Sequence, residues 1–305
     1  MTFGDRLAAV VAERQSQVAL GLDPDPERLL PEAVSQASAA GGGPADRAAR
    51  AIAFHCRALI EAAAPACAAV KLQLACFERL GGPGWTALAE VGDAGRAAGL
   101  IVIADGKRGD VPHTAAAYAR ALMGDTRTPF GEVAGLGADA ITVNPLLGRD
   151  ALEPFVSTAR ARDRGVFVLV RTSNEGAAEI QDAAPPGALP LRDRLARLVD
   201  ELGAAGVGES GLADVGAVVA ATAPALLAGL REAMPRAVFL LPGVGAQGGR
   251  AELLGPAFEP GRAGALIAAS RSIVEPALEA GDAGAARAAA EALRVAAWEV
   301  SSKPG

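Results

Sequence analysis

Eight short, almost wholly apolar runs recur along the chain, at residues 18–22, 68–74, 100–104, 138–143, 166–170, 215–220, 237–241 and 265–269. A strand with one wet face alternates apolar and polar residues. Runs that are apolar throughout belong to a parallel sheet covered on both faces. Ala-, Leu- and Arg-rich stretches with helical character fill the gaps, at 48–64, 86–98, 150–162, 191–202, 224–234 and 285–300. Eight strands alternating with helices over 305 residues predict an α/β chain, a single (β/α)8 TIM barrel spanning 1–305. A doubly wound open sheet competes, but no G-x-G-x-x-G fingerprint follows the first run. Two connections on the βα side, near 31–46 (with SQASAAGGGP) and 178–190 (with AAPPGALP), read as mobile loops.

Charge and cysteine usage narrow the partners. Acidic side chains outnumber basic ones 35 to 29, and no basic block occurs, which argues against binding nucleic acid. The longest uncharged run, 215–230, is shorter than the ~20 residues that span a bilayer. The opening MTFGDRLAAVVAERQ carries charge throughout and lacks a signal-peptide core. Cys56, Cys67 and Cys76 form an odd set without metal-type spacing. The expectation is a cytoplasmic protein with neither a membrane nor a nucleic-acid partner. Only two histidines occur, His55 and His113, so a His-rich metal site is disfavoured. His55 reads as a packed helix position, and His113 as a helix-start or interface residue.

Lysine is scarce. Among 29 basic side chains only Lys71, Lys107 and Lys303 are lysines, and Lys303 reads as part of a solvated tail. An ammonium can give up a proton where a guanidinium effectively cannot, so the other two ask for a reason. Lys71 sits inside the second apolar run, and Lys107 follows the third in IVIADGKRGD. On an extended chain Asp105 and Lys107 would share one face, towards the barrel interior, with Arg108 on the other. Polar groups also follow the first run (Asp23), the fifth (RTSNEG), the seventh (PGVGAQGG) and the eighth (SRS). They converge on the C-terminal rim, where barrel enzymes place their chemistry. Each has a plainer reading: rim charges are often solvated ion pairs, Gly-rich turns are mostly turns, and Ser173-Asn174 can cap a helix.

The tract Asp105-Gly106-Lys107-Arg108-Gly109-Asp110, followed by Thr114, resembles the D-x-K-x-x-D signature of the orotidine 5′-phosphate decarboxylase family. Related phosphosugar barrels share that spacing. Gly21-Leu22-Asp23-Pro24, Val70-Lys71-Leu72-Gln73, Thr142-Val143-Asn144-Pro145, Arg171-Thr172-Ser173-Asn174, the PGVGAQGG turn and Ser270-Arg271-Ser272 follow in order and resemble its longer, type 2 branch. Leu72, Cys76, Glu175 and Gly106 depart from that branch, which usually has Pro, Phe, Pro and Ala there. None of the four removes a charged group.

The resemblance implies decarboxylation of orotidine 5′-phosphate to UMP in pyrimidine biosynthesis, with no metal or organic cofactor. It assigns Lys107 to the carbanion at C6, Asp105 to holding Lys107 beside the departing carboxylate, and Lys71 to bridging Asp105 and the ribose. It gives a ribose hydroxyl to Asp23, the pyrimidine amide edge to Ser173, and the phosphate to Arg271, Gln247 and backbone N–H groups at Gly248 and Gly249. It further implies a homodimer in which Asp110 and Thr114 enter the partner's site. Two other readings stand beside it: a metal-dependent phosphosugar lyase of the same superfamily, and a nucleotide-binding barrel without catalysis.

Overall fold

A computed structural model describes residues 1–302; Lys303 lies outside the described residues. Eight parallel strands close into a barrel: β1 (Val18–Leu22), β2 (Ala69–Gln73), β3 (Ile101–Arg108), β6 (Ala140–Val143), β7 (Gly165–Arg171), β8 (Val215–Val219), β9 (Phe239–Pro242) and β10 (Ala265–Ala269). Their order round the ring is β1-β10-β9-β8-β7-β6-β3-β2. The chain is the (β/α)8 barrel its apolar runs predict. A two-stranded antiparallel hairpin, β4 (Asp125–Thr128) with β5 (Gly131–Ala134), stands outside the ring. Its residues are short and polar, so no hydrophobic period marks it.

Strand geometry sorts the apolar residues into two layers, because alternate side chains face opposite ways. Leu20, Leu22, Val70, Leu72, Val102 and Val168 face outward, against the surrounding helices. Ala19, Ala69, Ile101, Phe167, Leu240 and Leu266 face inward and fill the barrel. The inner layer continues into helix α1 (Phe3–Arg14), whose Phe3, Leu7 and Val11 plug the N-terminal mouth. Phe3 meets Phe167 edge to face, with ring centroids 6.0 Å apart. Gly165 makes room: a Cβ there would lie 2.5 Å from the Phe3 ring.

The expected loop near 31–46 is mostly helix. Pro31 starts α2 (Pro31–Ala39), which buries Ala33 and Ala37, one turn apart. Its Ser and Gln residues disguise that stripe in the sequence. Residues 40–43 then lead into α3 (Pro44–Ala63). In the second expected loop, α8 (Ala177–Gln181) occupies the start and 182–190 is irregular. The remaining elements are α4 (Leu74–Glu78), α5 (Gly82–Ala97), α6 (Pro112–Met123), α7 (Arg149–Arg160), α9 (Leu191–Gly203), α10 (Leu227–Ala233), α11 (Arg271–Ala280), α12 (Gly284–Val300) and six short 3-10 turns. No described helix is long and apolar enough to cross a membrane.

His55 is buried on α3, and its Nδ1 accepts the Leu30 N–H at 3.2 Å. Burial lowers its pKa from 6.5 to about 4. A histidine held neutral in the folded state contributes fully above the unfolded value, and that contribution drains away as pH falls towards the folded one. Urea unfolding should therefore show a loss from this group of about 2 kcal/mol between pH 6.5 and 5. His55→Gln, which keeps an acceptor for Leu30, should lack that part of the loss. An identical pH dependence in the variant would show that His55 is not the titrating group.

Candidate active site

A cavity of about 470 Å³ opens at the C-terminal end of the strands. Its floor is the top of the inner core, Leu169, Val218, Leu240 and Ala268, and its wall is charged. That contrast follows from strand phase. Lys71 and Gln73 on β2, Asp105 on β3 and Thr142 on β6 occupy inward positions above the last apolar layer.

Asp105 is the hub. Its Oδ2 accepts from Lys71 Nζ at 2.7 Å and from Gln73 Nε2 at 3.4 Å. Its Oδ1 accepts from Lys107 Nζ at 2.7 Å and from the Thr142 hydroxyl at 2.7 Å. Lys71 also reaches Asp23 Oδ1, at 3.5 Å. Burial alone would raise the Asp105 carboxyl, but the ammoniums of Lys71 and Lys107 outweigh it and hold it well below the usual carboxylate range. Burial likewise opposes the charged form of Lys71, and Asp105 with Asp23 overcomes it, holding that ammonium above the usual lysine range. Both groups are ionised at neutral pH.

Asp105 and Lys107 meet, as their spacing predicts, though not on a regular strand. The β3–β6 register shifts between Ala104 and Arg108, and Lys107 takes a left-handed backbone with φ 47°. The Thr142 hydroxyl accepts the Lys107 N–H at 2.9 Å across this bulge. Arg108 points elsewhere, pairing with Glu78 and stacking 5.3 Å from the centre of the Tyr118 ring.

Arg271 opens α11 just after β10 and lines the pocket with Ser173 and Gln247. Glu275, one turn on, is taken by Arg28 at 2.6 Å, and no ion pair of Arg271 occurs among the described residues. Ser173 does not cap the next helix: α8 begins after Gly176 and has no side-chain cap. Thr172 and Asn174 bond to each other instead, and Gln181 accepts the Thr172 N–H at 2.8 Å.

Four expected site residues, Gly248, Gly249, Asp110 and Thr114, lie outside this cavity. Gly248 does not line it, and the turn uses the two backbone donors expected to meet phosphate. Gly248 N–H goes to Gly245 O at 2.8 Å, and Gly249 N–H to Gly243 O at 2.9 Å. Those donors are not accessible here as expected from glycine content, because a tight turn satisfies its own backbone. Asp110, in the connection from β3 to α6, and Thr114, in the first turn of α6, are half-buried, and Asp110 Oδ1 accepts the Val111 N–H at 2.7 Å.

Gln73, Thr142 and Gln181 join the site without having been given a role from sequence. Thr142 had a signal, as the one polar side chain in ITV, and Gln73 shares the phase of Lys71. Gln181 had none. Among the described residues no group of three His, Cys, Asp or Glu side chains could hold a metal ion.

Residues 16–288 match the model of the Orotidine 5′-phosphate decarboxylase / HUMPS family. An orotidine 5′-phosphate decarboxylase of Rhodopirellula baltica is 42% identical over 280 residues, 90% of this chain and 88% of its own. One of Deinococcus radiodurans is 48% identical over 215 residues, covering 70% and 74%. Among solved structures, Leishmania donovani OMP decarboxylase superposes with TM-score 0.74 at 31% identity, covering 99% of this chain and 100% of that one. Leishmania donovani UMP synthase gives TM-score 0.75 at 34% identity, covering 98% of this chain and 56% of that longer one.

Asp105→Asn should lower unfolding free energy at pH 7 by about 3 kcal/mol, because it strands the buried Lys71 ammonium. Adding Lys71→Met should recover a large part of that loss in urea denaturation. A double variant no more stable than Asp105→Asn alone would contradict the coupling.

Proposed function

The chain belongs to the Orotidine 5′-phosphate decarboxylase / HUMPS family, and on that premise we propose that it is a carboxy-lyase converting orotidine 5′-phosphate to UMP and CO2 in the cytoplasm. The observation that carries the reading is the Lys71–Asp105–Lys107 array on one wall of a cavity with an apolar floor. Loss of CO2 leaves an electron pair on C6 of the pyrimidine, and no ring position delocalises it well. A fixed ammonium in a low-dielectric pocket stabilises that charge more than water does, with no reorganisation as it develops. Lys107 is the ammonium with room to approach, since 43% of its side chain is exposed whereas Lys71 is buried.

The steps balance on this chain's own groups. The bond from C6 to the carboxylate breaks, CO2 departs, and a proton passes from Lys107 Nζ to C6. Solvent then reprotonates the amine. Asp105 aims Lys107 and sits beside the departing carboxylate, while Lys71 keeps Asp105 ionised and, with Asp23, faces the ribose. Ser173 reads the pyrimidine amide edge. Arg271, without an ion pair among the described residues, provides a fork for the phosphate, and Gln247 joins it as the turn at 243–249 rearranges to release its N–H groups. The segments near 31–46 and 178–190 move with substrate entry in a single-domain barrel.

A homodimer completes the site. Asp110 and Thr114 lie at a corner where Val111, Leu146 and Leu147 are 54%, 76% and 45% exposed, an apolar edge suited to a second copy. Asp110 and Thr114 then face the partner's cavity.

Purified, chelator-treated protein should deplete the absorbance of orotidine 5′-phosphate and yield UMP. Lys107→Ala should cut kcat at least ~1000-fold while UMP still binds, because the ammonium matters most once charge develops. Near-normal kcat in that variant would remove the central assignment. Activity that returned only with added divalent ion would favour a phosphosugar-lyase type of site.

Subunit mixing tests the shared site. Lys107→Ala and Asp110→Ala are each expected to be inactive, and a mixed dimer holds one site with both defects and one with neither. Random pairing makes about half the dimers mixed, so roughly a quarter of wild-type sites should return. Exchange confirmed by native mass spectrometry without recovered activity would place Asp110 in its own subunit's chemistry or in structure.

A further inference from the structure

We propose that Thr142 is a positioning residue for the decarboxylation, its hydroxyl holding the Lys107 ammonium in place through Asp105. The inference rests on the decarboxylase reading above. Three hydrogen bonds and the Lys107 side chain form a closed ring. Lys107 N–H donates to Thr142 Oγ1 at 2.9 Å, and the Thr142 hydroxyl donates to Asp105 Oδ1 at 2.7 Å. The same Oδ1 accepts from Lys107 Nζ at 2.7 Å, and the Lys107 side chain closes the circuit to its own backbone. Thr142 thus grips Lys107 at the main chain, and the carboxylate grips it at the tip.

The need for such a grip is local. Residues 105–107 bulge away from β6, and Lys107 holds a left-handed φ of 47° that a side chain with a Cβ adopts only under constraint. The ladder bond that a regular strand would give its N–H is lost at the bulge, and Thr142 replaces it. Thr142 is 1% exposed and inward-facing, in a strand whose other residues are apolar. Valine would fill the same space. The hydroxyl is therefore explained by its two hydrogen bonds rather than by packing.

Its direction of action also matters. One proton is available on Oγ1, and Lys107 N–H occupies the acceptor side, so the hydroxyl proton is directed at Asp105 Oδ1. This biases the carboxylate rotamer that places Oδ1 under Lys107 and Oδ2 under Lys71. Without the hydroxyl, Asp105 can swing and the Lys107 backbone can relax towards an extended conformation. Either motion displaces the ammonium from C6 without removing a charge or a substrate contact.

The experiment compares Thr142→Val with Thr142→Ser, reading kcat, KM, UMP affinity by calorimetry and the urea midpoint. Thr142→Val should fold and lose kcat on the order of 10- to 100-fold, the scale of a small misplacement of a catalytic group. KM and UMP affinity should stay within about threefold, because the ground-state contacts remain. Thr142→Ser should return kcat to within about threefold of wild type, as it restores the hydroxyl without the methyl. A folded Thr142→Val with wild-type kcat overturns the proposal, as does a serine variant as slow as the valine one, which would point to packing by the methyl. If valine does not fold, Thr142→Ala against Thr142→Ser makes the same comparison: a fast serine and slow alanine support the role, and equal rates overturn it. Failure of the reaction itself shows separately, as a wild-type chain that consumes no orotidine 5′-phosphate, and that result removes this inference with it.

Discussion

One buried carboxylate organises the C-terminal end of this barrel. Asp105 accepts from two ammoniums, a hydroxyl and an amide, and each of its oxygens carries one lysine. Burying a lone charge costs several kcal/mol, and a pair recovers that only when geometry is held and the spare lone pairs are filled. Here the strands supply the holding. Lys71 and Asp105 come from neighbouring strands in fixed register, with Lys71 opposite Ile103 and Gln73 opposite Asp105. Asp23, 3.5 Å from Lys71, balances the second ammonium, and Arg271, without an ion pair among the described residues, leaves the lining net positive. A cavity built this way favours an anion above it.

The two ends of the barrel handle buried charge with different residues. Near the N-terminal end, Asp139 is 3% exposed, pairs with Arg6 and Arg164, and accepts the Val102 N–H at 2.9 Å. Asp214, 4% exposed, is gripped by Arg160 at 2.7 and 2.9 Å. Guanidinium forks suit permanent clamps, because they stay charged and bind carboxylates in a fixed plane. The lysines of the described chain, Lys71 and Lys107, both line the cavity. An ammonium is compact and can surrender its proton, which a clamp does not need and a proton donor does. Arginine thus clamps Asp139 and Asp214, whereas lysine meets Asp105 at the cavity.

The scarcity of lysine was readable from the sequence, since three lysines in so arginine-rich a chain invite the question. The barrel was readable for a related reason: strands buried on both faces leave unbroken apolar runs, and all eight fall within a few residues of their expected bounds. What escaped reading has physical causes. The helix at Pro31–Ala39 buries only two alanines, too faint a stripe to outweigh its Ser and Gln residues. Alternation brought Asp105 and Lys107 together on paper, but the bulge and the left-handed Lys107 arise from how β3 meets β6, and pairing is not written in one strand. The PGVGAQGG turn shows what glycine content leaves out. Glycine content suggests free backbone donors, yet Gly248 and Gly249 spend theirs inside the turn.

Closure of the ring fixes how the site is laid out. In an open sheet, β1 and β10 would be opposite edges; here they pair, with Leu20 beside Ala269. Arg271, just after β10, therefore stands next to Asp23, just after β1, and Asp23 leads through Lys71 to Asp105. A ligand anchored at Arg271 reaches the charged wall across one strand rather than across the whole sheet. The apolar floor from β7, β8, β9 and β10 lies under the same span. Asp110, two residues beyond the end of β3, is half-buried and does not line this cavity.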